Sequence, residues 1–208
     1  MGFIHNWGKQ LRKPEGILGK VVVPFFMNVS NRQLNNWTID LLDIKPTDRV
    51  LELGFGPGLG ICKVAAIATE GLVSGVDFSE LMVRKAQKRN AAAIAAGRVD
   101  LKQGDISSLP YDDQTFDKVI AIQLIYFCQP PHIFLKESRR VLKPGGKIAV
   151  SFIAKEDMAK YKFTKTGVFD LYTDQDALKL LTEAGFTQAH FETKPVRPGM
   201  GICAIAER

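Results

Sequence analysis

The stretch Val-Leu-Glu-Leu-Gly-Phe-Gly-Pro-Gly at residues 50–58 decides the fold of this chain. Residues 50–53 form a short, mainly apolar run that is typical of a buried strand. Glycines follow it directly, and glycine adopts backbone angles that other residues avoid and lets a ligand approach the main chain. Residues 59–68 are apolar and compatible with a helix. The stretch therefore predicts a strand, a glycine turn and a helix in succession.

The spacing of these glycines differs from that of a dinucleotide-binding loop and of a P-loop. A dinucleotide fingerprint requires a third glycine at position 59, where this chain has Leu59. Pro57 also removes one backbone N–H that a pyrophosphate would otherwise bind. No Gly-Lys-Ser or Gly-Lys-Thr follows, which excludes a phosphate-binding P-loop. A tight turn without any ligand remains the alternative interpretation of these glycines.

Short apolar runs and helix-compatible segments alternate along the rest of the chain. This alternation predicts an α/β fold with a doubly wound, mainly parallel sheet covered on both faces. No helix separates the last two predicted strands, so we expect them to pair antiparallel. The seven predicted strands are residues 50–53, 72–76, 99–103, 118–122, 147–152, 187–193 and 202–206, and the helices are residues 59–68, 79–96, 131–142 and 174–184.

Residues 1–48 differ in character from residues 49–208, and we interpret them as an N-terminal helical extension with a helix over residues 28–42. One hypothesis makes this extension a lid over the acceptor pocket, with an apolar surface and a basic rim that contacts a membrane surface. The alternative makes the same residues the core of a packed helix. The apolar residues concerned are Phe25, Phe26, Met27 and Trp37, and the basic ones are Lys9, Arg12 and Lys13.

Composition narrows the class of protein. The chain has 208 residues, of which 46% are hydrophobic and 24% charged, as in a soluble globular domain. Its three cysteines lie far apart, so we expect neither a disulfide framework nor a metal site. We see no signal peptide or membrane span and expect a cytoplasmic protein. The net charge of +6 permits nucleic acid or anionic lipid as a partner, but the basic residues are scattered, which favours a solvated surface.

Acidic residues follow the second and third predicted strands. A carboxylate at Asp77 can accept hydrogen bonds from both hydroxyls of a ribose, although capping the helix near Ser79 is an alternative role. Asp105, beside the apolar Ile106, suits the exocyclic amine and flat face of an adenine, although starting a loop is an alternative role. Because parallel strands end at one edge of the sheet, we expect these groups to meet near the glycine turn.

Residues 49–208 resemble the class I S-adenosylmethionine-dependent methyltransferases, especially small single-domain members such as the quinone-biosynthesis methyltransferases. The resemblance implies S-adenosyl-L-methionine as the cofactor and a seven-stranded sheet whose last strand is antiparallel. It identifies the cofactor specifically and says little about the methyl acceptor. The matching segments are residues 50–58, 75–79, 104–106 with 109–110, 116–120 and 142–147.

The resemblance also implies roles for individual residues. Glu52 lies near the methionine amino group, Asp77 binds the ribose hydroxyls, and Asp105 bonds the adenine amine. Phe78 and Ile106 pack on the two sides of the adenine, and Gln123 lies under the methionyl part. The implied cofactor-binding residues are Glu52, Gly54, Phe55, Gly56, Gly58, Asp77, Phe78, Gly104, Asp105, Ile106 and Gln123.

The predicted reaction is methyl transfer by in-line displacement to a small, lipophilic or aromatic acceptor, which needs no metal. Tyr126 and His132 are weak candidates for catalytic residues, because both follow the fourth strand. An RNA methyltransferase and a nicotinamide-dependent oxidoreductase are the alternatives, but no RNA-binding signature is present and the glycine loop disfavours the oxidoreductase. The sequence leaves the oligomeric state and the atom that is methylated open.

Overall fold

The computed structural model describes residues 32–208, which contain one seven-stranded sheet. The strands are β1 (Arg49–Leu53), β2 (Leu72–Asp77), β3 (Val99–Gln103), β4 (Phe116–Ile122), β5 (Leu142–Ile153), β6 (Thr187–Val196) and β7 (Gly199–Glu207). The α-helices are α1 (Arg32–Leu41), α2 (Leu59–Ile67), α3 (Glu80–Arg89), α4 (Ala91–Ala95), α5 (Pro131–Val141), α6 (Lys155–Met158) and α7 (Asp174–Glu183). Short 3-10 turns cover Ile125–Phe127 and Lys162–Thr166.

The strand order is β3-β2-β1-β4-β5-β7-β6, and the first five strands of the chain pair in parallel. Strand β7 runs antiparallel to both of its neighbours, β5 and β6. The doubly wound, mainly parallel fold predicted from the sequence is thereby confirmed. The chain reverses its direction of winding between β1 and β4, and in such sheets ligands bind beyond the carboxyl ends of the strands at that point.

The central strands are buried on both faces because helices cover the sheet from each side. The side chains of Leu51 and Leu53 on β1 and of Ile120 on β4 are fully buried. This explains why these strands have continuous apolar runs rather than alternating polar and apolar residues.

Helix α1 packs into the same core as the sheet. Leu34, Ile39 and Trp37 are buried there, and the Thr38 hydroxyl donates to the Ser151 hydroxyl on β5 at 2.7 Å. Trp37 is therefore part of the core of a packed helix, which was the alternative to the lid hypothesis. The other residues of the predicted lid and basic rim, and the start of the predicted helix 28–42, lie outside the described residues.

The helix predicted over residues 79–96 is two helices, α3 and α4, which meet at Asn90. The Asn90 amide donates to the carbonyl oxygens of Gly58 and Ala86, so it fixes the glycine turn to α3. Ser79 is the N-cap of α3, but its hydroxyl makes no capping bond; instead the Asp77 carboxylate accepts the Ser79 amide at 2.9 Å. Strands β5 and β7 both begin earlier than predicted: Leu142 at the start of β5 pairs with Phe116 on β4, and Gly199 at the start of β7 pairs with Val196 on β6.

Among residues 32–208, no helix is long and apolar enough to cross a membrane.

Candidate functional site

A cavity of about 390 Å³ lies beyond the carboxyl ends of β1 to β4, a volume within the range of small-molecule sites. It spans the point where the strand order reverses. Nine of the predicted cofactor residues line it: Glu52, Gly54, Phe55, Gly56, Asp77, Phe78, Asp105, Ile106 and Gln123. Gly58 and Gly104 do not line the cavity, but their chain neighbours Pro57 and Asp105 do.

Two backbone turns at the reversal point have left-handed conformations. Gly54 has φ 62°, a left-handed backbone that favours glycine, and a Cβ atom there would lie 2.7 Å from the Leu124 side chain, which would have to move. Gln123, at the end of β4, has φ 57°, which is uncommon for a residue other than glycine. The backbone N–H of Gln123 still donates to the carbonyl oxygen of Ser151 on β5 at 2.8 Å. Backbone strain of this kind is concentrated at functional sites.

Glu52 is the most perturbed acidic group of the cavity. Its side chain is 4% exposed, and its Oε2 atom has no hydrogen-bond partner. Burial raises the pKa of Glu52 from 4.5 to about 8, the nearby Asp77 carboxylate adds to the increase, and the Ile61 amide opposes it. A buried carboxyl group with an unused acceptor oxygen is suited to bind a cationic ligand group.

Asp77 connects the glycine turn to the start of α3. Its two carboxylate oxygens accept the Gly56 and Ser79 amides, each at 2.9 Å. Burial raises the pKa of Asp77 above its usual value, and these two backbone bonds offset only part of that increase. Each carboxylate oxygen can accept a further hydrogen bond, so the same side chain can hold the loop and still bind ligand hydroxyls.

Phe78 and Ile106 form an apolar gap at the side of the cavity near β2 and β3. Phe78 is 46% exposed, which is unusual for a phenylalanine in a folded protein and leaves part of its side chain open to a ligand. Asp105 lies beside Ile106 with its carboxylate accepting the Ser107 amide at 2.8 Å, a bond that lowers the Asp105 pKa.

Two charged residues of α5, Arg140 and Glu137, clamp the loop that follows Asp105. The sequence analysis missed this clamp. Arg140 donates to the Leu109 and Tyr111 carbonyl oxygens, and Glu137 accepts the Leu109 amide at 2.9 Å. Arg140 and Glu137 also form an ion pair at 2.9 Å. The pair fixes the position of the loop relative to α5. Charged residues in a helix gave no signal that distinguished this clamp from an ordinary solvated face.

A second wall of the cavity is mainly apolar, with Gln123 and Gln129 among its members, and its apolar part was also missed. It comes from the segment between β4 and α5 and from the first turn of α5. Its apolar side chains are Leu124, Phe127, Ile133 and Phe134. The uncharged stretch of residues 119–135 was the available signal, because a loop and helix start without charges suits a wall against an apolar ligand.

Neither candidate catalytic residue lines the cavity. Tyr126 is buried behind the wall, where its hydroxyl donates to the Ile153 carbonyl at 3.0 Å and accepts the Ile153 amide at 2.6 Å. Its ring packs against Phe152 and Phe169. Tyr126, a candidate because it follows the fourth strand, therefore does not reach the cavity, because the 3-10 turn directs Phe127 rather than Tyr126 to it. His132 is exposed at the start of α5.

Replacing Tyr126 by Phe is expected to lower the free energy of unfolding by about 1–3 kcal/mol, since two buried backbone groups of Ile153 lose their partner. Urea unfolding measures this loss, and calorimetry with S-adenosylhomocysteine should give an affinity within about twofold of the wild type. Unchanged stability together with a large loss of turnover would instead return Tyr126 to a catalytic role.

Comparison with known proteins identifies the kind of enzyme that this cavity belongs to. A family model described as "Methyltransferase domain" matches residues 51–150. The chain is 30% identical over 188 residues to the uncharacterised methyltransferase YdaC of Bacillus subtilis, an alignment that covers 90% of this chain and 98% of the relative. The chain belongs to the class I S-adenosylmethionine-dependent methyltransferases.

Two further matches agree with this assignment. A demethylmenaquinone methyltransferase of Bacillus cereus is 36% identical over 113 residues, which cover 53% of this chain and 47% of that enzyme. The crystal structure of an S-adenosylmethionine-dependent methyltransferase from Aquifex aeolicus has a TM-score of 0.70 at 19% identity, with 97% of each chain covered. The second likeness concerns the fold.

The cofactor of this methyltransferase is S-adenosyl-L-methionine, and the cavity has the groups that such a molecule requires. The unpartnered Oε2 of Glu52 is suited to an ammonium group, and the Asp77 carboxylate is suited to ribose hydroxyls. The exposed ring of Phe78 and the side chain of Ile106 are suited to a flat purine. The residues present thus fit the cofactor.

Proposed function

We propose that this methyltransferase acts on a small, lipophilic or aromatic acceptor. The observation that carries the proposal is the apolar wall formed by Leu124, Phe127, Ile133 and Phe134 on the β4 side of the cavity. Apolar walls with few polar groups favour ligands that bury hydrophobic surface. The demethylmenaquinone methyltransferase reported above is named for an acceptor of this chemical class.

We further propose how the chain holds the cofactor. Asp77 binds the ribose hydroxyls, Phe78 and Ile106 enclose the adenine, and Asp105 accepts the adenine amine. Glu52 receives the methionine ammonium, and the glycine turn allows the methionyl part to pass close to the main chain. Gln123, at the reversal point, lies under that part. These roles agree with the burial and hydrogen bonding of each group.

The chemistry requires orientation more than proton transfer. When bound, the cofactor supplies a methyl group on a sulfonium that leaves as a neutral thioether. The chain's contribution is to hold an acceptor in line with that methyl group, which is worth effective molarities of about 10⁵ M or more. The apolar wall excludes water from the acceptor, and the buried glycine turn keeps the opposite side fixed. We assign no general base, because Tyr126 and His132 do not line the cavity.

Two isoleucines of equal exposure offer a test of the acceptor wall. Ile133, at the cavity, is 39% exposed, and Ile67, at the end of α2 away from the cavity, is 38% exposed. We expect Ile133→Asn to raise the acceptor KM about tenfold, since one lost apolar contact costs roughly 1–2 kcal/mol. Ile67→Asn should leave KM within about twofold, and neither change should alter the affinity for S-adenosylhomocysteine.

The acceptor needed for this KM comparison is identified by a methyl-labelling experiment. The wild-type protein is incubated with methyl-labelled cofactor and, separately, with the organic extract and the total RNA of the cells that produce it. We expect label in the organic extract, whose labelled compound then serves for the KM comparison. Label in the RNA alone would contradict the proposal and favour the RNA methyltransferase alternative.

A further inference from the structure

Asn35 is a buried polar residue of the cavity that no role described so far requires. It lies on α1, is 8% exposed and lines the cavity. Its side-chain amide makes no hydrogen bond within residues 32–208, and its polar atoms are not sealed from solvent but stay open to the cavity. Asn35 also precedes the matched methyltransferase domain, which begins at residue 51. A buried amide without a partner that faces a ligand cavity is a candidate ligand contact.

The charges of the cavity lining indicate which ligand group needs such an amide. Within residues 32–208, the acidic side chains that line the cavity are Glu52, Asp77 and Asp105, and no Lys, Arg or His lines it. The methionyl part of the cofactor carries an ammonium and a carboxylate. Carboxylates in the lining suit the ammonium, but the ligand carboxylate needs hydrogen-bond donors that carry no charge.

The other amide side chains near the cavity, Gln123 among them, already have partners. Gln129 donates to Asp170 at 2.8 Å, and Asn90 donates to Gly58 and Ala86. The NH₂ group of Asn35 offers two donors, so it can bind a carboxylate oxygen without breaking an existing bond.

The fold places Asn35 at the methionyl end of the cavity. Helix α1 contacts α2, β4 and β5, and Thr38, one turn after Asn35, bonds to Ser151 on β5. Residues three apart on a helix share a face, so Asn35 lies on the β4 and β5 side of β1. The proposed adenosine contacts, Asp77 and Asp105, follow β2 and β3 on the other side of β1.

We propose that the Asn35 amide donates a hydrogen bond to the carboxylate of the cofactor's methionyl group. Glu52 and Asn35 then hold the two charged ends of that amino acid from different sides, and α1 becomes part of the cofactor site rather than only a packed helix. This inference rests on the adenosine site proposed above, so its test must report on the adenosine and amino-acid parts separately.

The chain provides a matched control, because Asn36 is the next residue of the same helix and is exposed. The experiment compares Asn35→Ala and Asn36→Ala in the full chain by calorimetry with two ligands. S-adenosylhomocysteine contains the amino acid, and 5′-methylthioadenosine lacks it. We expect Asn35→Ala to weaken binding of S-adenosylhomocysteine about tenfold or more, since a hydrogen bond to a charged group is lost. Binding of 5′-methylthioadenosine should change by less than twofold, and Asn36→Ala should change neither.

Asn35→Asp provides a second readout. It places a carboxylate against the ligand carboxylate, so S-adenosylhomocysteine should bind more weakly to it than to Asn35→Ala. Equal losses for both ligands, or no loss for S-adenosylhomocysteine, would overturn the inference. Failure of the wild-type protein to bind 5′-methylthioadenosine would contradict the adenosine site itself, and this inference with it.

Discussion

Replacing Glu52 by Gln is expected to stabilise the unliganded protein and, at the same time, to weaken cofactor binding. The Glu52 carboxyl group is buried, its Oε2 has no partner, and burial raises its pKa from 4.5 to about 8. A group kept in this state opposes folding when it ionises. Gln has the same shape without the charge, so it removes that cost together with the site for a cation.

The sign of the pH dependence follows from the raised pKa. A carboxyl group whose pKa is higher in the folded state keeps its proton there, while the unfolded chain loses it above about pH 4.5. The contribution of Glu52 to the stability of the wild type therefore falls as pH rises from 4.5 to about 8 and then stays level. Relative to wild type, Glu52→Gln should be stabilised by about 3 kcal/mol at pH 7 and by about 5 kcal/mol at pH 9.

Urea unfolding at pH 5, 7 and 9 measures this difference. The gain in unfolding free energy from Glu52→Gln should be smallest at pH 5. The control is Glu70→Gln, which removes an exposed carboxyl group and should change stability by less than about 0.5 kcal/mol at each pH. A gain that does not vary with pH would contradict the buried, protonated state of Glu52.

The same state makes proton release a signature of cofactor binding. An ammonium placed against Glu52 favours its ionised form, so the wild type should release a proton on binding S-adenosylhomocysteine at pH 7. Calorimetry in two buffers with different ionisation enthalpies detects this release. Glu52→Gln should release none, and its affinity should fall about tenfold or more because a charged pair is lost.

The sequence predicted those parts of the fold that depend on local pattern. Strand β1, the glycine turn and helix α2 follow directly from residues 50–68, and the alternation of strands and helices indicated the parallel sheet. The break at Asn90 could not be found in this way, because it depends on hydrogen bonds to Gly58 and Ala86, of which the first is distant in sequence. A run of helix-forming residues carries no sign of such a tertiary bond.

The residues of the candidate site likewise fall into those that local sequence pattern predicts and those that depend on tertiary packing. Glu52, Asp77 and Asp105 were predictable because the ends of parallel strands meet at one edge of the sheet. Asn35 and the apolar wall were not, since they reach the cavity through the packing of α1 and the start of α5. Tyr126 was misplaced because the left-handed Gln123 and the 3-10 turn after it change which face each following residue occupies.

Gly58→Ala is expected to have the largest effect of any single methyl addition in the glycine turn. Gly58 has φ 77°, and a Cβ atom there would lie 2.7 Å from the Cβ of Ala86 and 2.8 Å from the Asn90 amide nitrogen. The left-handed backbone alone costs an alanine about 1–2 kcal/mol, and overpacking adds about 1–3 kcal/mol. Relief of the contact requires the turn to move away from α3, which would shift the wall that Gly56 and Pro57 provide to the cavity.

Gly97→Ala separates these two costs. Gly97 has φ 69°, nearly the same backbone as Gly58, but no atom lies within 4 Å of the position of its added Cβ. It should lose only the backbone cost, about 1–2 kcal/mol of unfolding free energy, and bind S-adenosylhomocysteine like the wild type. Gly58→Ala should lose about twice as much stability and bind the ligand at least tenfold more weakly. Equal losses of stability with equal affinities would show that the Gly58 contact with α3 does not hold the turn in place, because the two variants differ chiefly in that contact.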